Sequence, residues 1–245
     1  MFRFDNRIIY VFLAIFVIRH IMLNLTDTNF ILSLLYSLPA MLIAITFHEF
    51  AHAWTADKLG DETPRMQGRL TLNPVAHLDP VGSVLLVFAG FGWGKPVEVN
   101  PRNYSTKMSM SKADAIVSFA GPAMNFILAI VFMIIWYAIR VFAPLFAVTQ
   151  IGNIILDLIA VTVTINMGLA VFNLIPLPPL DGSKVLNHFL PYNARQWFAE
   201  KEYAFYIVFL LIWMTGIAGY IITPIIQWLT MGLNYVIGLL FSFMI

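Results

Sequence analysis

The feature that most constrains this sequence is the stretch from Ala115 to Ile139, which holds no Asp, Glu, Lys or Arg and is long enough to cross a bilayer as a helix. It does not stand alone. Apolar stretches also run from Ile8 to about Leu25, Phe30 to about Trp54, Ile151 to Leu174, Tyr203 to Ile222 and Ile225 to Ile245, the last interrupted by Gly232, Asn234 and Gly238. In hydrocarbon every backbone N–H and C=O has to be bonded within the protein, and runs of this length do so as helices. The expected fold is an all-α polytopic membrane protein of about six transmembrane helices, consistent with 60% hydrophobic and 11% charged residues. A net charge of +1 gives no reason to expect a nucleic-acid partner. With no cysteine, disulfides are excluded and any metal site has to use His, Asp, Glu or backbone oxygen.

The second of these runs, which Thr26 to Asn29 can cap, contains His48-Glu49-Phe50-Ala51-His52. On a helix the i, i+4 spacing puts His48 and His52 on one face, about 6 Å apart along the axis, so both imidazoles can reach one metal ion. Glu49 is offset by one position, where it can act on a water held at the metal instead of ligating it. Ten residues separate His48 from Lys58, so the pair is expected roughly 15 Å inside that end of the helix.

From Asp57 to Lys112 charges, Gly and Pro enter, and only Val81 to Phe91 is continuously apolar, too short to span as a helix. A re-entrant element is expected there, with short strand pieces from Phe91 to Pro101 lining a cavity. Gly90, Gly92 and Gly94 are not followed by Gly-Lys-Ser/Thr and do not make a phosphate loop. No repeat or appended soluble domain is visible. The chain is expected to be one membrane-embedded domain over 1–245, with a catalytic core at about 30–190 flanked by a helix at 8–25 and helices at 203–245. With a cytoplasmic N-terminus, Arg3, Arg7, the seven Lys and Arg from Lys58 to Lys112, Lys184, Arg195 and Lys201 fall on the cytoplasmic side, and Arg140 on the other. The positive-inside rule favours that orientation, and with it an active-site opening toward the cytoplasm.

Candidates for a third ligand are Asp114, Asp157 and Asp181. Asp114 reads as a first-turn helix acid, and Asp157 lies about two turns from the wrong end of its span. Asp181 follows Pro176, Pro178 and Pro179, which break the helix, and precedes Gly182, which permits a sharp turn back toward the histidines.

Three motifs together, H-E-x-x-H at His48 to His52, G-P-x-x-N at Gly121 to Asn125 and N-x-x-P-x-P-x-L-D-G at Asn173 to Gly182, resemble the site-2 protease family of intramembrane zinc metallopeptidases. The stretches from Asn73 to Gly82 and from Lys95 to Asn103 look like its compact bacterial branch, without PDZ or CBS domains. The resemblance implies one Zn2+ per chain bound by His48, His52 and Asp181, with Glu49 as the catalytic base and proton carrier. It also implies regulated intramembrane proteolysis of transmembrane protein substrates in the lipid bilayer of the cell membrane, and leaves a homo-oligomer open. Asn125, about 20 Å into its span from Lys112, is a candidate to hydrogen-bond the developing oxyanion or to orient the scissile peptide, with helix packing as its other reading. Asn173 can equally cap its broken helix. His77 reads as a loop histidine fixed by backbone bonds. The rival functions are a transition-metal transporter using the same His and Asp, and an inactive relative that binds membrane proteins. Glu49 argues against both.

Overall fold

A computed structural model describes residues 28–82, 94–105 and 107–243 of the chain. Helix α1 (Thr28–Lys58) carries the two histidines and is followed by the single turn α2 (Thr63–Met66) and short 3-10 turns at Pro74–His77 and Pro101–Asn103. Then come α3 (Met110–Phe142), α4 (Pro144–Ala147), α5 (Gln150–Asn173), α6 (Asp181–Phe189), α7 (Tyr192–Glu200), α8 (Glu202–Met214) and α9 (Ile217–Ser242). Four of them are long and apolar enough to cross a membrane: Ile31–Lys58, Met110–Phe142, Gln150–Asn173 and Ile217–Ser242. The protein is an all-α membrane protein, and large apolar side chains such as Phe142, Tyr220 and Met231 point outward. The expected span at 8–25 and most of the apolar stretch at 81–91 lie outside the described residues.

Helices α1, α3 and α5 pack on one another, and α6 lies against α3. Close approach is possible because α1 turns small residues inward: Ala40, Ala44, Ala51, Ala53 and Ala56 are all buried. Helix α9 is held on the far side by a cluster of Ala129, Met133, Val163, Met167 and Ile237. Asn234, which weakens the C-terminal stretch as a membrane segment, is bonded: its Oδ1 accepts from Tyr137 Oη at 2.9 Å. Gly238 leaves room for that hydroxyl, which a Cβ would meet at 2.8 Å.

Two expectations change. The boundary between the last two segments does not fall near Pro224, which lies inside α9; the chain breaks at Gly216, whose φ of 74° is left-handed. The result is a 13-residue α8, shorter than a span, and a longer α9. The strand pieces expected up to Pro101 are also not formed among the described residues, where one bridge, Leu78 to Gly94, is the only pairing. The physical reason is that this segment's donors are taken from inside. Past the bridge, whose bond runs from Lys95 N–H to His77 O (2.8 Å), Val97 N–H donates to Glu49 Oε2 (2.8 Å) and Asn100 N–H to Asp61 Oδ2 (2.6 Å). Val97 is thereby tied to α1 and Asn100 to Asp61 just beyond its end, and neither N–H is left for an open edge.

Candidate metal centre

His48 and His52 sit one turn apart on α1, and Asp181 is the first residue of α6. After α5 ends at Asn173 the chain turns through residues 174–180, and α6 then packs back against that turn. Gly182 makes the approach possible, because a Cβ there would collide with the carbonyls of Leu174 and Ile175. Its φ is not positive, so the glycine is needed for contact and not for the sharp turn expected of it. The outcome places Asp181 Oδ2 3.2 Å from both His48 Nε2 and His52 Nε2, which are 3.0 Å from each other.

Hydrogen bonds on the outer side of each ring decide what those atoms are. His52 Nδ1 lies 2.7 Å from Val117 O, a carbonyl that can only accept, so the Nδ1 proton is present. His48 Nδ1 lies 2.6 Å from Asn125 Oδ1, whose amide nitrogen is spent on Ala44 O (3.0 Å) and Asn166 Oδ1 (2.9 Å). In the neutral form that a metal ligand requires, both rings would turn bare Nε2 lone pairs toward a carboxylate. Three such groups need a positive centre between them. Ligands about 2.0–2.1 Å from a tetrahedral zinc lie about 3.3 Å apart, close to the spacings found. The three donor atoms, all within 4.8 Å of one another, can hold a metal ion.

Gly121 of α3 lies against both rings. A Cβ there would overlap His52 Nε2 and lie 2.7 Å from His48 Nε2, so the absence of a side chain keeps the space beside both Nε2 atoms clear. Pro122 follows it within α3. Glu49 faces the strapped segment, one oxygen bonded to Val97 N–H and the other 3.8 Å from the Cβ position of Gly94.

The other sequence candidates lie elsewhere. His77 is fully buried with Nε2 2.8 Å from Thr71 O, a backbone tether. Asn173 donates to Leu169 O at 3.1 Å within its own helix, and Asp157 is exposed on α5. Asn125 is fully buried, and both ends of its amide are engaged, so no N–H is left free for an oxyanion in this arrangement. Asn166, Thr162 and Gly121 were not singled out as site residues from sequence. The available signal was a polar Asn in the middle of an apolar span, which in a membrane needs a partner.

An all-α membrane protein that brings two histidines of an H-E-x-x-H helix onto one carboxylate has the framework of a membrane-embedded zinc metalloprotease. The comparison with family models agrees: residues 36–215 match Peptidase family M50, and the chain belongs to that family. It is 37% identical to "Putative zinc metalloprotease YwhC" of Bacillus subtilis over 78% of this chain and 86% of that protein. It is 34% identical to "Putative zinc metalloprotease Rip2" of Mycolicibacterium smegmatis and of Mycobacterium tuberculosis, over 70% of this chain and 64% and 63% of those proteins. No solved structure matches. The enzyme is a zinc-dependent protease of the site-2 type.

Proposed function

We propose that this protein cleaves transmembrane segments of other membrane proteins, with His48, His52 and Asp181 holding one zinc ion and Glu49 moving the proton. The observation that carries the reading is the convergence of two Nδ1-protonated imidazoles and one carboxylate on a space kept open by Gly121. Zinc, when bound there, supplies Lewis acidity toward water and the scissile carbonyl. Glu49, held by Val97 N–H through one oxygen, keeps the other to take the proton of the attacking water and hand it to the leaving amine. Asn125 and the Val117 carbonyl orient the two rings, so the part assigned to Asn125 is to hold His48 and not to bind an oxyanion.

A helical substrate hides its peptide bonds in its own hydrogen bonds and has to unwind before attack. The basic residues following α1 favour placement in the cell membrane with the site opening toward the cytoplasm. Glu49→Gln tests the mechanism, since the amide oxygen can still accept from Val97 but cannot carry the proton. In detergent-purified protein the variant is expected to keep its zinc and to cleave a transmembrane reporter at least about a hundredfold more slowly. Cleavage at the wild-type rate would remove Glu49 from the mechanism. Absence of zinc from the wild type would refute the ligand assignment.

A further inference from the structure

Asn166 sits in α5, fully buried, and its side chain bonds to Asn125 and Thr162 and not to the three donor groups. Its Nδ2 donates to Thr162 O at 2.9 Å, and a backbone carbonyl can only accept, so the amide is fixed with its oxygen toward α3. That oxygen receives the Nδ2 of Asn125 at 2.9 Å. The other acceptor of Asn125 Nδ2, Ala44 O, belongs to the backbone of α1, where the helical ladder already uses it. Asn166 Oδ1 is thus the acceptor dedicated to this amide. With its nitrogen held on that side, Asn125 turns its oxygen to His48 Nδ1 at 2.6 Å.

We infer that Asn166 is a positioning residue for the metal centre. Through Asn125 it sets the tautomer of His48, keeping the proton on Nδ1 and the Nε2 lone pair directed at the ion. The inference rests on the reading above that His48 binds zinc. An Asn125 amide turned the other way would set its N–H groups against the Nδ1–H of His48, and the ring would have to shift or move its proton to the ligand nitrogen. Partners that orient metal-binding histidines in this way are worth roughly 10–100-fold in metal affinity. Asn166 stands one bond further out, so the low end of that range is expected.

The test is zinc affinity, measured by competition with a chromophoric chelator on detergent-purified protein. Asn166→Ser is the main variant: its hydroxyl can bond back to Thr162 O within the helix but is too short to meet Asn125. The expected loss is about tenfold. Asn166→Asp, which keeps an acceptor facing Asn125, is expected within about threefold of wild type. In an Asn125→Leu background, adding Asn166→Ser is expected to change the affinity less than twofold, because the intermediary is gone. A helix-packing role alone would cost the same in both backgrounds. Wild-type affinity in Asn166→Ser, an undiminished tenfold loss in the Asn125→Leu background, or equal losses for Ser and Asp would each overturn the inference. So would an Asn166→Ser protein that is unfolded without metal. His48→Ala separates the two levels of argument. Zinc retained in that variant refutes the ligand assignment, whereas zinc lost there and unaffected by Asn166→Ser refutes only the part given to Asn166.

Discussion

Gly121→Ala is the substitution in which helix stability and metal binding are expected to move apart. Inside α3 an alanine is preferred to glycine by at most about 1 kcal/mol, since Pro122 crowds a Cβ on the residue before it. Its methyl carbon would stand 2.7 Å from His48 Nε2, about 0.7 Å short of the 3.4 Å at which ordinary contact begins, and closer still to His52 Nε2. Both neighbours are the ends of side chains, so the metal-free protein can relieve the clash by turning the rings. The metal site has no such freedom, since ligand distances tolerate only about 0.2 Å. A displacement of this size acts on two ligands at once, and the zinc affinity is expected to fall by more than about a hundredfold, beyond what loss of an outer partner costs. The assay is chelator competition, read beside thermal unfolding of the metal-free protein. Gly168→Ala on α5 is the control, because its methyl would meet only Ile226 Cδ1 at 3.6 Å and zinc should be retained. A Gly121→Ala protein that held zinc as tightly as wild type would refute the placement of the ion between these helices.

Asp61 gives a pH-dependent prediction. It is fully buried where α1 ends and accepts from Thr63 N–H and Oγ1, Asn100 N–H and Asn103 Nδ2. Burial pushes its carboxyl up, but these donors outweigh burial and leave it below the ordinary value of 3.8. Its stabilisation is therefore complete above that value and lost as pH falls through the lower folded-state value. Thermal unfolding measured from pH 6 to pH 3 should show the loss, and Asp61→Asn should flatten the profile while costing about 1–3 kcal/mol at neutral pH. In the same unfolding assay Tyr137→Phe, which removes the hydroxyl bonded to Asn234, should cost about 0.6 kcal/mol, the average for such bonds between membrane helices. A cost near zero would mean that apolar contacts alone fix α9.

The convergence of His48, His52 and Asp181 and the helices that carry them were legible because each rule involved is local. The i, i+4 spacing of His48 and His52, the proline break before Asp181 and the length of the apolar runs all follow from residues close in sequence. What escaped depends on partners far along the chain. The segment after Gly94 has strand-like composition but is strapped by Glu49 and Asp61, and no pattern within it announces two side-chain acceptors lying elsewhere. Pro224 reads as a boundary, yet a proline can remain inside a membrane helix, and the break moves to Gly216. Asn125 was visible as a polar residue at the right depth, while its role depends on Ala44 and Asn166, one on each neighbouring helix.

The buried polar groups of α1, α3 and α5 serve the fold and the site through the same bonds. An Asn or His inside an apolar bundle is costly unless every donor and acceptor is met, and here each helix supplies what another lacks: α3 gives Val117 O to His52 and Asn125 to His48, and α5 gives Asn166 to Asn125. The three helices are thereby locked at one level, where the Nε2 atoms meet Asp181. Helix α9 has no share in this network. It is pinned to α3 at its distal half through Ile237, Asn234 and Gly238. Its first half and α8 instead wall an apolar cavity of about 410 Å³ with Leu177 and Leu180 of the turn that delivers Asp181. Rigid polar bonding is concentrated where the donor atoms of His48, His52 and Asp181 converge, and apolar contacts alone line the neighbouring space between α8 and α9.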